Sequence, residues 1–398
     1  MHPHIPPRDL WWLAAGGASY GVRYARLRLR LARTAARAPR TPDPTGELLR
    51  LQTLYGYNEH SLVSIAPGAR LWSVPEIDGA IIYGEFGRVW LAAGDPLAHE
   101  REAGELARQF VVAAKRRRKI AAFVPASARF AAQSAAVGLI GVKVGAAPYF
   151  DLKTWQPRGD RAKNMRGGLN QAQRAGVTVT VVDTVTDELR QETVKLCQRW
   201  LRTRRAVTSF GWLLALDPFR HAAHKRFFTA RDETGSLIGL LAASAIPARH
   251  GWYLEDVLRV PDAPQGTADL LVVSALRQFQ TEGAQLATLG TSPLATDGDD
   301  YFAGEHKQIE RALKMTAARL GSFYNFAGLR RFKAKFVPSF WESEYVLVPR
   351  GMTIPPRVAY AFIRAIAPGG IMRLLTRKLI RVTFKKGDQK NGAGAALT

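Results

Sequence analysis

Short apolar runs alternate with amphipathic segments along most of this chain, and the alternation predicts strands and helices in turn. Residues 80–83 and 89–93 are apolar runs on either side of a glycine-containing turn, which predicts two paired strands. Residues 105–116 have helical periodicity, and the apolar run 120–124 predicts a strand after them. This first block therefore mixes strands with at least one covering helix.

A second block follows a basic segment. Cations recur in residues 158–174 at a spacing that suits one helix, and Gly176 is a natural stop. The pattern then predicts strands at 177–182, 227–231, 237–245, 252–258 and 286–290, with helices at 187–202 and 268–282. The two blocks have similar lengths and a similar order of elements, which suggests a duplicated fold.

These patterns divide the chain into five parts. We predict a basic, aromatic arm at 1–45, a first domain at 46–157, a basic connecting helix at 158–176, a second domain at 177–350, and a basic amphipathic tail with a disordered end at 351–398.

Both ends carry cations beside apolar side chains. The arm has seven arginines between positions 23 and 40, with Trp11 and Trp12 upstream, which suits a lipid–water interface; RNA binding by a solvated arm is the rival interpretation. In the tail, residues 371–382 predict a basic helix on a membrane surface or, alternatively, a terminal helix packed on the second domain.

The amino-acid composition limits the classes of partner that this chain is expected to bind. The formal net charge is +24, from 57 Lys and Arg against 33 Asp and Glu, which indicates nucleic acid, an anionic membrane, or both. No segment reaches the ~18 to 20 consecutive apolar residues of a transmembrane helix, so we expect a peripheral protein on the cytoplasmic face of the inner membrane. Cys197 is the only cysteine and excludes an intramolecular disulfide.

Several familiar sites are absent from the sequence. It has no His-Glu-x-x-His, no Cys-x-x-Cys and no Gly-Lys-Ser/Thr phosphate loop. His221 and His224 could share a helix face but lack an obvious third ligand. We therefore expect no metal and no cofactor.

The most informative segment is 255–271. A predicted strand carries Asp256 and Arg259 near its end, and a turn with Pro261, Pro264 and Gly266 leads into a helix. The free N–H groups of a helix N-terminus attract anions. The simpler interpretation is a plain strand–turn–helix connection in which Asp256 and Arg259 form an ion pair.

This segment also resembles the catalytic domain of bacterial phosphatidylglycerol lysyltransferases (aminoacyl-phosphatidylglycerol synthases, the multiple peptide resistance factor family). Further pieces agree in order and spacing over roughly residues 55–349. They are Gly87-Arg88-Val89-Trp90 with Gly94-Asp95-Pro96, the basic helix with Lys163, Arg166 and Asn170, Leu289-Gly290-Thr291-Ser292-Pro293-Leu294, and Asn325-Phe326-Ala327-Gly328-Leu329-Arg330 with Lys333 and Lys335. We expect this chain to lack the multi-helix flippase portion that often precedes the domain.

The resemblance implies an α+β fold with two tandem acetyltransferase-like (GNAT-type) domains, each a mixed, mostly antiparallel sheet flanked by helices. It also implies that the second domain is catalytic, with aminoacyl-tRNA as donor and phosphatidylglycerol as acceptor. Asp256 would orient the acceptor hydroxyl or accept its proton, and Arg259 would hold the lipid phosphate or the developing oxyanion.

We assign substrate binding to a further set of residues. They are Lys163, Arg166, Asn170, Gly211, Gly266, Thr267, Gly290, Asn325, Lys333 and Lys335. For Lys333 and Lys335, which could grip lipid or tRNA phosphate, a role as ordinary surface cations is the alternative.

The predicted function is transfer of lysine or another amino acid to a lipid hydroxyl, which would change membrane charge and resistance to cationic peptides. One alternative is an acyltransferase of related fold that acts on an amine, a peptide or a small molecule, although the sequence lacks the Gln/Arg-x-x-Gly-x-Gly/Ala loop of acetyl-CoA users. A second is a non-catalytic protein that bridges RNA and membrane.

Overall fold

The computed structural model describes residues 44–203, 216–300 and 326–351, together with 357, 358, 361, 364 and 365. The predicted arm before residue 44 and most of the predicted tail lie outside the described residues, as do Gly211 and Asn325. Within the described residues, no helix has the length and apolar character needed to cross a membrane.

Seven α-helices are described: α1 Thr45–Tyr55, α2 Glu100–Arg116, α3 Ala128–Ser134, α4 Lys163–Arg174, α5 Asp187–Thr203, α6 Thr267–Thr281 and α7 Phe326–Ala334. The strands are β1 Arg70–Trp72, β2 Gly79–Phe86, β3 Val89–Ala93, β4 Leu97–Ala98, β5 Ile120–Ser127, β6 Leu139–Asp151, β7 Thr178–Val182, β8 Lys225–Arg231, β9 Leu237–Ile246, β10 Gly251–Arg259, β11 Leu286–Thr288, β12 Ser292–Pro293 and β13 Phe340–Pro349.

One sheet contains these strands in the order β1-β2-β3-β5-β13-β6-β11-β10-β9-β8-β7, with β4 paired to β2 and β12 to β6. Most neighbours are antiparallel, but β3 with β5 and β10 with β11 are parallel. A parallel neighbour requires a crossover connection, which α2 and α6 supply.

The two halves of the sheet repeat one arrangement. In the first, the antiparallel pair β2–β3 is followed by α2 and then by β5, parallel to β3. In the second, the antiparallel pair β9–β10 is followed by α6 and then by β11, parallel to β10. The duplication suggested by the sequence is therefore present in the order and pairing of the elements.

The two halves meet at β6 and β13. Strand β13, from the end of the second half, lies between β5 and β6, while β6 of the first half also pairs with β11. Strand β13 of the second half thus lies between two strands of the first half, and β6 of the first half lies between two strands of the second half. The division into domains at 46–157 and 177–350 stays a prediction.

Aromatic packing fixes α6 against the sheet. The ring of Phe279 on α6 stacks on Trp252 of β10, with centroids 4.8 Å apart, and meets Phe228 of β8 edge-on. Phe279 is fully buried, and burying such a side chain contributes about 1.5–3 kcal/mol. These contacts hold the C-terminal end of α6 against the start of β10 and against β8.

Candidate active site

Asp256 lies at an irregularity in β10. The pairing of β10 with β9 shifts register between Leu254 and Asp256, so Glu255 is an extra residue in the ladder. Such a bulge turns neighbouring side chains away from strict alternation. Among the described residues, β11 pairs with β10 only over Gly251 to Tyr253, so the stretch that carries Asp256 has a ladder partner on the β9 side alone.

The carboxyl group of Asp256 has an unusual environment. Its Oδ2 atom is enclosed and has no hydrogen-bond partner among the described residues. Burial is the main cause that raises the pKa of Asp256 to about 8; Glu255 adds to the rise and Lys225 opposes it. A carboxyl group that exchanges a proton near neutral pH is suited to general acid–base chemistry.

Glu255 belongs to a buried ion pair. Its carboxylate lies 2.8 Å from the ammonium of Lys225 and also accepts a hydrogen bond from Ser244. Lys225 donates a further bond to the carbonyl of Pro218. Sequence reasoning assigned no role to Glu255; in the structure it is the partner of Lys225, directly beside Asp256.

Arg259 ends β10 and is exposed. Among the described residues, its guanidinium makes only long hydrogen bonds, 3.3 and 3.4 Å, to the carbonyls of Val260 and Pro261. The strand–turn–helix connection expected for this segment is present, from β10 to α6, but no ion pair joins Arg259 to Asp256 in the described part of the chain. Three cations, Arg259, Lys163 and Lys335, line one cavity of about 750 Å³, which we call the anion pocket.

The anion pocket forms where α4 crosses the start of α6. Gly266 caps α6 at φ +90°, and a Cβ there would lie 1.8 Å from the carbonyl oxygen of Gly168 on α4. Helix α4 runs unbroken through Gly167 and Gly168. A Cβ at Gly168 would lie 2.2 Å from a carboxylate oxygen of Asp269, so glycine on both sides permits this close approach of α4 to α6. Thr267, the first residue of α6, is fully buried and donates to the carbonyl of Pro264, so it lies beneath the pocket wall.

The three cations and one asparagine predicted on the connecting helix share one exposed face. Lys163, Arg166, Asn170 and Arg174 are spaced three or four residues apart on α4, and all are exposed. Arg166 donates to the carbonyl of Gly159 at 2.9 Å. This exposed face of α4 is therefore available for contact with an anionic partner.

The two lysines of α7 have different surroundings. Lys335 lies at the anion pocket and pairs with Asp269 in the first turn of α6. Lys333 is buried, and its ammonium donates to the carbonyls of Gly290 and Thr291 at 2.7 and 2.6 Å. Burial lowers the pKa of Lys333 to about 7, against the opposing effect of Glu344 and Glu59. Neither lysine is an ordinary surface cation.

Lys333 adjoins a cluster of buried and half-buried polar groups that we call the polar centre, made of Glu59, His60, Tyr149, Thr291 and Glu344. Nε2 of His60 lies 2.8 Å from the hydroxyl oxygen of Thr291, which donates to Glu344. The phenol of Tyr149 donates to Glu59 at 2.9 Å.

Proton sharing balances the charge of the polar centre. Burial and then the nearby carboxylate of Glu59 raise the pKa of Glu344 well above its usual range. Burial acts upward on Glu59 too, but His60 and hydrogen bonds from Glu344 and Tyr149 outweigh it and lower its pKa. Of the two carboxyl groups, Glu344 therefore holds a proton more readily than Glu59. By residue type Glu59, His60 and Glu344 could also hold a metal ion, since one ligand atom from each lies within 4.8 Å of the others.

The structure thus brings together part of the predicted set. Lys163, Arg259, Gly266 and Lys335 line the anion pocket, Asp256 lies three residues before Arg259 on β10, and Gly290 and Lys333 adjoin the polar centre. Sequence reasoning missed Lys225, Glu59, His60, Tyr149 and Glu344. His221, which the sequence analysis weighed as a metal ligand together with His224, has a structural contact instead. A nitrogen of its ring forms a hydrogen bond with the carbonyl of Ile65.

Comparison with known proteins gives one family. Residues 51–348 match the family model described as phosphatidylglycerol lysyltransferase, C-terminal. A phosphatidylglycerol lysyltransferase of Bacillus subtilis (strain 168) is 22% identical over 294 residues, which are 73% of this chain and 33% of that protein. The chain therefore spans about a third of the length of this curated relative.

Two solved structures share the fold. The C-terminal domain of a putative lysylphosphatidylglycerol synthetase from Agrobacterium fabrum has a TM-score of 0.68 at 23% identity, covering 81% of this chain and 96% of that one. L-PGS from Bacillus licheniformis has a TM-score of 0.64 at 19% identity, covering 83% and 96%. Together with the repeated halves of the sheet, these matches confirm the predicted fold class, α+β with two tandem acetyltransferase-like units.

Proposed function

Since this chain belongs to the family of the phosphatidylglycerol lysyltransferase C-terminal domain, we propose that it transfers an amino acid from aminoacyl-tRNA to the hydroxyl of a membrane phospholipid such as phosphatidylglycerol. The observation that carries the proposal is the sequence of groups along β10. Asp256, whose carboxyl has one enclosed oxygen without a partner among the described residues, is followed three residues later by Arg259, which lines a cavity with two more cations.

The anion pocket supplies binding for phosphate. Both proposed substrates carry phosphodiesters, and the guanidinium of Arg259 matches a phosphate with two donors in one plane. Lys163 and Lys335 add charge from two other elements, α4 and α7. The exposed row on α4 continues this positive surface and suits the backbone of the tRNA acceptor stem.

The reaction is an exchange of esters. The lipid hydroxyl oxygen attacks the aminoacyl carbonyl carbon, a new C–O bond forms, and the bond to the tRNA ribose oxygen breaks. The hydroxyl proton passes to the departing ribose oxygen. Because the two esters have similar energies, the protein mainly supplies positioning and stabilisation of charge.

Asp256 is the residue that handles this proton. In its ionised form it accepts the proton of the lipid hydroxyl, and it then donates it to the ribose oxygen. A pKa of about 8 makes it a stronger base than an ordinary aspartate with a pKa of ~3.9. A well-placed general base contributes ~10² to 10⁴-fold in rate.

The net charge of +24 fits a protein that works at an anionic surface. Charged tRNA is a cytosolic substrate, so the reaction belongs to the cytoplasmic face of the inner membrane, with the chain bound peripherally. The product carries an added amino group, which lowers the negative charge of the membrane and weakens its attraction for cationic peptides.

The decisive experiment is mass spectrometry of total lipids from cells that express this chain, beside Asp256→Asn and an exposed control, Asp160→Asn. We expect a lipid heavier by one aminoacyl residue with the wild type and the control, and its loss with Asp256→Asn. In cell extracts, RNase should abolish product formation. An unchanged lipid profile from the wild-type chain, or product that persists after RNase, would reject the proposal.

A further inference from the structure

A second cavity of about 490 Å³ lies against the start of β13 and helix α3. Three aromatic residues, Tyr57, Phe340 and Trp341, line it, and we call it the ring pocket. Phe340 is 42% exposed, which is unusual for so large an apolar side chain. One face of its ring stacks on Tyr149, with centroids 5.4 Å apart and an interplanar angle of 9°.

Two arginines reinforce the stacked arrangement. The guanidinium of Arg129 lies 3.4 Å from the ring centroid of Tyr57, and its Nε is enclosed without a partner among the described residues. Arg249 lies between Tyr57 and Tyr149, at 4.7 and 4.2 Å from their centroids, and is paired with Glu342 at 2.9 Å. Planar cations and rings in contact form a surface on which a further flat group can stack.

We propose that the ring pocket binds an unpaired nucleobase from the single-stranded 3′ tail of the tRNA donor. This inference rests on the proposed function, because it assigns a subsite to the same donor. Bases stack on aromatic side chains and on guanidinium planes, and each such contact contributes a sizeable part of single-strand affinity.

The other lining groups fit the edge of a base. Asp299, Glu342 and Ser343 place acceptor oxygens around the cavity. Carboxylates accept hydrogen bonds from exocyclic amines, which adenine and cytosine carry and uracil does not. Among the described lining residues, the aliphatic part of the wall is limited to Ala128 and Ala132, so the pocket does not suit a lipid chain.

The position of the ring pocket relates it to the polar centre. Phe340 stacks on Tyr149, and the phenol of Tyr149 donates to Glu59. Further along β13, Glu344 completes the polar centre two residues after Glu342. A base held on Phe340 would therefore lie one aromatic layer from the polar groups at the junction of the two halves of the sheet.

Binding of a short RNA hairpin with a single-stranded ACCA tail tests the inference, with a tailless hairpin of the same stem as reference. For the wild-type chain we expect the tail to tighten binding by about 10-fold, the effect of one stacked base. Phe340→Ala should remove most of that gain, whereas Phe340→Trp should retain it. Leu54→Ala, which removes another exposed apolar side chain, is the matched control and should leave it unchanged.

A second variant and a second RNA tail provide independent tests of the same pocket. Ala132→Leu adds bulk at an exposed position of the pocket wall without removing a contact, and it should reduce the gain if Phe340→Ala fails to fold. A UUUU tail should bind more weakly than ACCA to the wild type, and the two tails should become similar in Phe340→Ala.

An equal gain from the tail in wild type, Phe340→Ala and Ala132→Leu would overturn the inference. So would weaker binding of Phe340→Ala to phosphatidylglycerol vesicles with an unchanged gain from the RNA tail, which would assign the pocket to lipid. Tail-dependent binding that requires Phe340, in a chain that modifies no lipid, would support the inference and reject the proposed function.

Discussion

The ammonium of Lys225 lies 2.8 Å from the carboxylate of Glu255, and both side chains are more than nine-tenths buried. The bulge in β10 places this pair directly beside Asp256. The two members act oppositely on the neighbouring carboxyl, since Glu255 raises the pKa of Asp256 and Lys225 lowers it. The proton affinity of the proposed base therefore depends on an ion pair that need not touch substrate.

We predict that the rate of aminoacyl transfer rises with pH to a plateau with a midpoint near 8, because the ionised form of Asp256 accepts the proton. Glu255→Gln should move the midpoint to lower pH, since it removes a negative neighbour and leaves Lys225. Initial rates of lipid aminoacylation between pH 6 and 9 measure this. Glu188→Gln, an exposed change on α5, should leave the midpoint in place. Equal midpoints in wild type and Glu255→Gln would contradict the coupling.

We also predict that Asp256→Asn stabilises the fold, and more so at pH 8 than at pH 5. The pKa of Asp256 is about 8 in the folded chain and ~3.9 in an unfolded one. Between these values the folded state binds a proton that the unfolded state does not, so the free energy of unfolding of the wild type falls as pH rises, by at most about 1.4 kcal/mol per pH unit. Asparagine removes this dependence.

Urea unfolding of wild type and Asp256→Asn at pH 5 and 8 provides the measurement. Asp160→Asn, on an exposed stretch before α4, should follow the wild type at both pH values. A stability difference between Asp256→Asn and wild type that is the same at pH 5 and pH 8 would argue against a raised pKa.

Local patterns predicted most of the secondary structure. The helices predicted at 187–202 and 268–282 correspond to α5 and α6, and the strand at 252–258 corresponds to β10, each within a residue or two. These segments could be predicted because their apolar residues recur with a clear period and because Gly or Pro marks their ends. The position of β13 between β5 and β6 could not be predicted from local sequence patterns, because the pairing partners of a strand depend on contacts across the whole chain.

In the candidate site, too, residues close together in the sequence could be predicted, whereas residues far apart could not. Asp256, Arg259 and Gly266 lie within eleven residues of one another, so their spacing could be read as one unit. Glu59 lies in a turn after α1 and Glu344 lies on β13, almost three hundred residues later, so only the folded arrangement of the chain brings their carboxyls together. No spacing rule connects them.

Gly266→Ala should destabilise the fold more than Gly235→Ala. Both glycines have positive φ, +90° and +80°, and alanine in that region costs about 1–2 kcal/mol. At Gly235 a Cβ meets nothing within 4 Å, whereas at Gly266 it lies 1.8 Å from a backbone oxygen of α4. The overlap adds about 1–3 kcal/mol. Thermal or urea unfolding compares the two, and equal losses would mean that α4 does not press on the start of α6.

The exposed cations of α4 should act on RNA through its phosphates. Lys163→Ala should weaken binding of an RNA hairpin and reduce the slope of log affinity against log salt by about 1, because one fewer counterion is released. The effect should be the same for hairpins of different stem sequence, since a lysine on phosphate reads no bases. Lys195→Ala, an equal loss of charge on the exposed surface of α5, is the control. If both variants change the slope equally, the chain binds RNA through its overall charge and not through the face of α4.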